Sequence, residues 1–592
     1  MCPRRSIDVL SPPVLAPRQA GAGSQPRVDV RLGRELHVGP VEGQIDSELS
    51  IGASWSTARA DSKLIGANNG GSGQSQISDD GRLNFKRGET FSKIFTGMHA
   101  LELKYGDSGL YVRGKYWYDF ELQDDSRPFK AISDSGRRAS AQSAGAQLLD
   151  AFVYHNYAIA DQPGAVRLGK QVVSWGEGAF IGGGINAINP TDPAAYRRPG
   201  TEYKDGLVPV NLFYVSQNLT DNLSADAFYQ LDWEPSEADN CGTFFSQSDV
   251  IADGCSGNYR VMSKRSALDV ADLAALTSAG AEVNEEGVLV RRGANRNARN
   301  SGQFGVAMHY MFEPLDTEFG AYFMNYHSRD PILSAGAAAQ SAYNAAAGAG
   351  GLAPMIVAGN SSYYVEYPED IRLYGVSFAT TLSTGTAWKG ELSYRPNAPV
   401  QLNSNDLLYA NVTLLPGLAD ASPLTVTPGA DVQGYLRKEV TQLQTSLSHV
   451  FDNAMGADRL TVTGEVGVTH VAGLDSPSGL RYGRDPVFGS AGTDGFTTAT
   501  SWGYRGRAVW QYNSVLPGVN LKPNLGWSHD VSGYSPGPDA SFEEGRKAIS
   551  LGLDGEYQNT YTASLSYTNF FGGRYNTLSD RDFMALTAGV KF

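Results

Sequence analysis

The sequence is poor in charged residues and in cysteine. Of its 592 residues, 19% are Asp, Glu, Lys or Arg and three are Cys, whereas soluble domains average about 25% charged residues. No run reaches the ~18 consecutive apolar residues of a membrane-spanning helix, which excludes a helical membrane protein. The formal net charge of −14 argues against nucleic acid as a partner, because phosphate binding needs a basic surface.

Glycine and aromatic residues are abundant instead. The chain holds 68 Gly, 30 Tyr, 24 Phe and 8 Trp, and 41% of its residues are hydrophobic, which excludes a disordered chain. The glycines keep no three-residue period and no heptads are sustained, so collagen-like and coiled-coil folds are excluded as well. One membrane class stays open, because a β-barrel averages apolar and polar residues within each strand and its composition looks soluble.

Apolar and polar residues alternate along many segments. Between Tyr561 and Thr568 the apolar side chains all fall on one face of a strand, and the Thr and Ser side chains fall on the other. A soluble β-sandwich alternates in the same way, so this pattern alone leaves both folds open. About eighteen such segments are present, among them 147–158 and 163–175, with sixteen as the alternative count for a barrel.

The lengths of the connections separate the two folds. Very short connections such as 106–108 and 453–456 alternate with long ones, which is typical of outer-membrane barrels with short turns at one end and long loops at the other. The predicted fold class is therefore all-β, a large antiparallel transmembrane β-barrel with long extracellular loops. The last segment is amphipathic and ends on Phe592, which resembles the C-terminal signal read by the barrel-assembly machinery.

The predicted barrel covers 43–592 and follows a separate N-terminal segment, 1–42. Prolines interrupt the apolar stretch that a signal peptide needs, so this segment is interpreted as a mis-called start or a signal remnant. In the predicted long extracellular loop 235–301, Cys241 and Cys255 bracket a stretch rich in Gly, Ser and Asp. A disulfide between them fits an oxidising compartment, and two unrelated free thiols are the alternative.

A glycine-rich segment at 176–207 is the most distinctive part of the chain. Its glycines superficially resemble a dinucleotide-binding loop, but Pro190, Pro193 and Pro199 forbid the long helix that such a loop requires. Dense glycine suits close backbone packing, so we predict that the segment folds inward as a plug or constriction, with an ordinary outward loop as the alternative. The residues predicted for the plug are Trp175, Gly176, Glu177, Gly178, Asn186, Asn189, Asp192, Arg197, Arg198 and Glu202.

Five motifs carry a resemblance to a known family. They are G-K-Q-V-V-S-W-G-E-G at 169–178, I-N-A-I-N-P at 185–190, R-R-P-G at 197–200, L-T-D-N-L-S at 219–224 and C-G-T-F-F-S at 241–246. Together they resemble a family of large bacterial outer-membrane proteins catalogued as domain of unknown function 1302, over nearly the whole chain. The resemblance implies an outer-membrane β-barrel, often associated with handling of hydrophobic compounds or with exporters of the resistance-nodulation-division type, and it implies no catalytic residues.

The alternation also predicts which side chains face the lumen. A barrel of about eighteen strands is wide enough for an aqueous channel unless a segment plugs it. Both signs of charge occur among the lumen candidates, so no strong ion selectivity is predicted. The predicted lumen wall contains Arg113, Lys115, Trp117, Asp119, Arg167, Asp226, Phe228, Lys389, Glu391, Arg395, Glu465, Asp554 and Glu556.

These features predict a channel for passive passage of small hydrophobic or amphipathic solutes, surrounded by lipid in the outer membrane of a Gram-negative bacterium. The alternative is a non-transporting scaffold or adhesin, or an assembly partner of a lipoprotein or a resistance-nodulation-division exporter. An enzyme is not expected, because the eight His are scattered with no Ser-containing elbow beside them. No cofactor or metal site is predicted.

Overall fold

The fold is a closed antiparallel β-barrel of 18 strands. The computed structural model describes residues 34–197, 201–476, 478–538 and 540–592. The strands, labelled in chain order, are β1 Val41–Ser56, β2 Thr90–Tyr105, β3 Ser108–Asp119, β4 Ala144–Ile159, β5 Gln162–Gln171, β6 Val210–Asn218, β7 Leu223–Gln230, β8 Phe304–Phe312, β9 Thr317–Tyr326, β10 Ile371–Thr381, β11 Ala387–Gln401, β12 Tyr435–Asp452, β13 Arg459–Ala472, β14 Thr500–Leu516, β15 Val519–Ser532, β16 Arg546–Tyr557, β17 Tyr561–Gly572 and β18 Phe583–Lys591.

Each strand pairs with its sequence neighbour, and the barrel closes where β18 pairs with β1 through Ile51 and Ala588. A short strand, Arg34–Val38, pairs with the start of β1 and is not part of the closed wall. Of the predicted N-terminal segment 1–42, residues 1–33 lie outside the described residues. The predicted all-β barrel is confirmed, and its strand number is eighteen rather than sixteen.

The alternation of the sequence becomes the two faces of the wall. In β17 the side chains of Tyr561 and Leu565 point outward and are exposed, whereas Ser566 and Thr568 are buried inside. Most strands present apolar side chains outward in the same way. Such an outer surface suits contact with lipid tails, while strand closure satisfies the backbone hydrogen-bonding groups within the wall.

The connections at the two ends of the barrel differ in length. The eight short turns lie at one end, as at 106–107 and 160–161, where Gly106, Ala160 and Asp161 adopt positive φ angles. The nine long connections lie at the opposite end, and the longest is 231–303. Under the outer-membrane convention the short turns are periplasmic and the long loops extracellular.

The long loops pack together into an extracellular cap. One small sheet of the cap joins the strands Arg260–Val261, Val283–Asn284 and Gly287–Leu289, and a second joins Arg291–Arg292, Ile332–Gly336, Ser362–Glu366 and Asp431–Val432. The α-helices are Asp80–Asn84, Phe120–Asp124, Val270–Ser278, Gln340–Ala346, Ala353–Gly359 and Ser404–Ala410. Among the described residues, none of the helices is long and apolar enough to cross a membrane.

The short 3-10 helices lie mainly in the same loops. They are Ser62–Leu64, Ala67–Asn69, Ala139–Ala141, Pro193–Tyr196, Tyr203–Gly206, Arg265–Ala267, Glu313–Leu315, Gly350–Leu352, Ala419–Ala421 and Pro486–Phe488. In the loop after β7, Cys241 and Cys255 are joined by a disulfide. Both sulfur atoms are buried beside Ala252 in the cap.

Candidate functional site

The connection between β5 and β6, residues 172–209, folds into the barrel, and we call it the lumen segment. Among its described residues, 172–197 and 201–209, the helical parts are the short 3-10 helices Pro193–Tyr196 and Tyr203–Gly206. Its backbone N–H and C=O groups therefore need partners from outside the segment when they are removed from water. The inward side chains of the barrel wall supply many of these partners.

An apolar cluster fixes the start of the lumen segment to the wall. Trp175 packs against Phe228 of β7, with 5.2 Å between ring centroids, and Ile185 is fully buried in the same cluster. Glycines of the wall make this approach possible. A Cβ atom on Gly305 would lie 2.9 Å from the Trp175 ring, and a Cβ on Gly375 would lie 2.7 Å from Ile185.

Glu391 of β11 binds the lumen segment through its backbone. The carboxylate accepts hydrogen bonds from the N–H groups of Glu177, Gly178 and Ile185, and the side-chain amide of Gln444 donates a further bond of 2.8 Å. The Glu391 side chain is buried. A buried carboxylate needs several donors of this kind to offset its lost hydration.

Glu465 of β13 binds the next part of the segment in the same manner. Its carboxylate accepts bonds from the N–H groups of Ala179 at 2.8 Å, Phe180 at 2.6 Å and Ile181 at 2.8 Å. Successive N–H groups pointing at one anion form a nest. Six backbone N–H groups of the lumen segment are thus held by two carboxylates of the wall.

Donors of the wall hold the carbonyl groups that follow. Arg395 donates to the carbonyl oxygens of Gly183 at 2.7 Å and Gly184 at 2.6 Å. Gln442 donates to the carbonyl oxygen of Gly182 at 2.7 Å. The wall therefore binds a continuous stretch of backbone. A side chain on this stretch would collide with the wall, because a Cβ atom on Gly184 would lie 2.0 Å from Glu391.

Polar residues of the segment stabilise its turns. Asn189 accepts from the N–H of Val173 at 2.9 Å and donates to the carbonyl of Val208 at 2.9 Å, which ties the two ends of the segment together. Asp192 caps the helix Pro193–Tyr196 by accepting from Ala194. Of the other residues predicted for the plug, Gly176 adopts φ +87° and the side chain of Asn186 donates to the hydroxyl of Ser174. Two form ion pairs, Glu177 with Lys389 and Glu202 with Lys204. Arg198 lies outside the described residues.

Arg197 lies between two cavities. Its guanidinium forms an ion pair with Asp239 of the cap and lies over the Phe245 ring, 4.5 Å from its centroid. An extracellular vestibule of about 570 Å³ lies under the cap, and a lumen cavity of about 300 Å³ lies beside β2 and β3. Pro193, Arg197, Asp239 and Phe245 line both spaces, so this group forms the partition between them.

The predicted lumen-wall residues lie on the inward face and fall into two groups. Those of β5 to β13 contact the lumen segment or other side chains of the wall. Their contacts are Arg167 over the Tyr214 ring, Asp226 with His309, Phe228 with Trp175, Lys389 with Glu177, and Glu391, Arg395 and Glu465 as described above.

The second group lies on β3 and β16, which the lumen segment does not cover. Arg113 pairs with Asp150 at 2.6 Å, and Asp554 accepts bonds from Asn524 and Ser564. Arg113, Asp554 and Ser564 are partly exposed, with 29% of the Arg113 side chain accessible, whereas Asp119 and Asp150 of the same wall are buried like the carboxylates of β11 and β13. The remaining members are Lys115 near the Trp117 ring, Trp117 donating to the carbonyl of Gln142, Asp119 capping the helix Phe120–Asp124, and Glu556 3.9 Å from Lys522.

The sequence prediction missed several residues of the site. Gln442 and Gln444 occupy inward positions of β12, and the two-residue spacing that selected Glu391 and Arg395 could have selected them. Asp239 and Phe245 come from the cap, and no periodic signal marks them. Phe592 lies at the periplasmic end, where its N–H donates to Ser47. In the described part of the chain, no group of three or more His, Cys, Asp and Glu side chains is placed to hold a metal ion.

Comparison with solved structures finds outer-membrane proteins of low similarity. OccAB1 of Acinetobacter baumannii is 10% identical, with a TM-score of 0.38, and the match covers 94% of this chain and 97% of that chain. OpdK of Pseudomonas aeruginosa, solved with vanillate, is 10% identical, with a TM-score of 0.37 and coverages of 93% and 98%. OmpF of Salmonella typhi, solved in complex with daunomycin, is 9% identical, with a TM-score of 0.33 and coverages of 94% and 100%.

No curated protein matches the chain. A family described as "Protein of unknown function (DUF1302)" matches residues 10–592. This range includes all 18 barrel strands, the lumen segment and the extracellular cap. The chain belongs to the DUF1302 family.

Proposed function

We propose that the protein is a passive channel for small amphipathic solutes in the outer membrane of a Gram-negative bacterium. The observation that carries this proposal is the division of the lumen. The lumen segment covers the inner face of β6 to β13, where Glu391 and Glu465 are buried, while polar side chains such as Arg113 and Asp554 on the opposite wall stay partly exposed. A water-filled passage along the uncovered wall accounts for this difference.

The proposed route begins in the extracellular vestibule. It passes the partition formed by Arg197, Asp239 and Phe245, enters the lumen cavity, and continues along the uncovered wall to the periplasmic end. The partition is the narrow point of this route, because the same side chains line the spaces on both of its sides. Its ion pair and its cation–π contact are only partly buried, so both break at modest cost.

Aromatic side chains beside the partition support an amphipathic solute. Phe91 and Phe245 line the lumen cavity, and Phe570 and Phe245 line the vestibule. All three belong to one apolar cluster of the described residues. Arg197 and Lys115 add polar partners at the same level. Ligand sites usually combine a mainly apolar lining with a few placed polar groups, which suits a solute with an apolar body and a polar end.

Deletion of the lumen segment tests the channel and its constriction. The purified protein is placed in liposomes, and swelling is followed with neutral sugars of increasing size. Replacing 177–205 by a short Gly-Ser linker should raise the swelling rate and admit larger sugars, because the linker fills less of the lumen. A matched deletion of Val270–Ser278, a helix of the cap, should leave the swelling rate and the largest sugar admitted unchanged. Equal permeability of the wild type and the 177–205 deletion would overturn the constriction, and no swelling with either would overturn the channel.

A further inference from the structure

The barrel wall has a gap beside β4. Residues Ala144–Asp150 pair with β3 on one side, from Ala144 with Tyr118 to Asp150 with Arg113. The ladder between β4 and β5 reaches only Ala151 opposite Lys170. Within the described residues, no strand pairs with Ala144–Asp150 on the side that faces β5. This unpaired edge is roughly 20 Å long at about 3.3 Å per residue.

The gap arises because the chain leaves the wall to form the lumen segment. The strand β5 ends at Gln171, and the wall resumes at Val210, which is the partner of Gln171. The floor of the gap is formed by Gln171 with its partner Val210 and by Asn211, whose carbonyl accepts from the N–H of Leu231 and whose side chain donates to Asp232. The lumen segment and the gap are therefore two results of one change in chain direction.

An ion pair near the surface bridges the gap at its extracellular end. Arg138 and Glu234 form an ion pair of 2.6 Å, with 35% and 40% of their side chains exposed. Next to this pair, the Ser140 hydroxyl donates to Glu237. Exposed ion pairs contribute little to stability because water competes for both charges. This outer ion pair can therefore break without disturbing the strand ladders, while Arg137 donating to Asn240 and Asn240 donating to Ser133 hold the same two loops together deeper in the cap.

The lumen cavity lies beside the residues that lead into the unpaired edge. Ser143, which precedes the unpaired edge, and Glu237, which belongs to the closure, both line this cavity. Trp117 lines it as well, and its ring lies across Gly145 of the unpaired edge, 2.9 Å from where a Cβ atom would be. The cavity is thus bordered by side chains of the closure as well as by the paired strands β2 and β3.

Apolar side chains border the gap on its outer surface. Leu148 on the unpaired edge is 49% exposed, and Leu231, next to Asn211 at the floor of the gap, is 44% exposed. The unpaired backbone lies at the extracellular end of the barrel, where water and lipid headgroups can satisfy N–H and C=O groups that the hydrocarbon core could not. The outer rim of the gap thus suits an apolar chain, and the cavity beside it offers polar partners.

We infer that this gap is a lateral portal that connects the lumen cavity with the outer leaflet of the membrane. An amphipathic solute passes through it with its apolar part along Leu148 and Leu231 and its polar end in the lumen cavity. The inference rests on the proposed channel function and adds the route by which an apolar solute avoids the aqueous path. A neutral sugar does not need the portal and uses the lumen alone.

Crosslinking the closure tests the portal. Arg138→Cys and Glu234→Cys, in a Cys2→Ser background, are joined by a short bismaleimide in the full-length protein in liposomes. The matched control joins Arg296→Cys and Asp431→Cys, an exposed ion pair of the cap outside the gap. Two rates are measured for each protein, the transfer of a dansyl-labelled dodecanoate and the swelling with a neutral sugar. Heat-modifiable migration on gels shows that each barrel is folded.

The portal crosslink should slow transfer of the dodecanoate probe by about tenfold, the effect of a barrier higher by about 1.4 kcal/mol, and should leave sugar swelling unchanged. The control crosslink should change neither rate. Unchanged probe transfer in the crosslinked protein would overturn the portal, and so would an equal loss of both rates, because the probe would then share the central path. Absence of both rates in the uncrosslinked protein would instead refute the channel function itself.

Discussion

Removing the two carboxylates that hold the lumen segment should open the channel. Glu391→Ala leaves the N–H groups of Glu177, Gly178 and Ile185 without their acceptor, and Glu465→Ala does the same for three further N–H groups. An unsatisfied buried donor costs roughly 1–3 kcal/mol. Water that enters the vacated space reduces this cost, so the lower figure applies, about 3 kcal/mol for each carboxylate.

A destabilisation of about 3 kcal/mol raises the population of the detached segment by about a hundredfold. The two sites bind neighbouring parts of one segment, so the effects of the two substitutions will not add independently. Glu465→Gln should have an intermediate effect, because the amide oxygen still accepts hydrogen bonds but the charge is lost. Planar-bilayer conductance and liposome swelling measure the opening.

Glu556→Ala is the matched control for these variants. Glu556 is also a carboxylate of the inner wall, but its contact is with Lys522 of the neighbouring strand, so its removal should not detach the lumen segment. Heat-modifiable migration shows whether each barrel is intact. Unchanged conductance and swelling in a folded Glu391→Ala/Glu465→Ala protein would refute the reasoning that these carboxylates hold the constriction.

Three further predictions concern the partition and the cap. Arg197→Ala removes an ion pair and a cation–π contact worth roughly 1 kcal/mol together, and should increase sugar swelling about fivefold. Replacing Cys241 and Cys255 by Ser removes a crosslink with a sequence separation of 14, worth roughly 3 kcal/mol for a loop of this size, and should speed protease cleavage within 231–303. Burial raises the pKa of Asp79 from 3.8 to about 6, equivalent to about 3 kcal/mol. The packed cap therefore binds this proton more tightly than the opened cap, so the protection factor of its loop against hydrogen exchange, which is corrected for the intrinsic rate at each pH, should be highest near pH 4 and should fall as the pH rises through 6.

Each of these predictions has a result that contradicts it. The partition does not limit passage if Arg197→Ala swells at the wild-type rate. The disulfide does not restrain its loop if protease cleavage of the serine variant is unchanged, and barrel migration on gels should be the same with and without the disulfide. Asp79→Asn should remove the change in protection factor between pH 4 and 7, and an unaltered pH profile of the protection factor in that variant would assign the effect to another group.

The sequence predicts the barrel well because strand alternation and connection length are local properties. The apolar outward face of β17 and the short turns at the periplasmic end can both be read from neighbouring residues. The same alternation places Glu391 and Glu465 on the inward face. It does not identify what they bind, because the N–H groups that they hold lie more than 200 residues earlier in the chain.

The end of β5 shows a second limit. Alternation predicts a strand over 163–175, but the strand ends at Gln171, and that prediction is wrong by four residues. Val173 and Trp175 continue the apolar alternation because they pack against the inner wall. In the sequence, an apolar residue buried in the lumen cannot be distinguished from an apolar residue that faces lipid on the outer surface. Asp239 and Phe245 were missed because cap residues meet the lumen segment through contacts between loops, which have no periodic signal.

The separation in sequence between the lumen segment and its carboxylate partners constrains how the protein is made. The segment leaves the ribosome and crosses the inner membrane well before β11 and β13, which lie 206 to 286 residues later. Until those strands arrive, its six N–H groups have only water as a partner. We therefore expect enclosure of the segment to be a late step in biogenesis, which is complete only when the strands on both sides of it have been incorporated into the barrel.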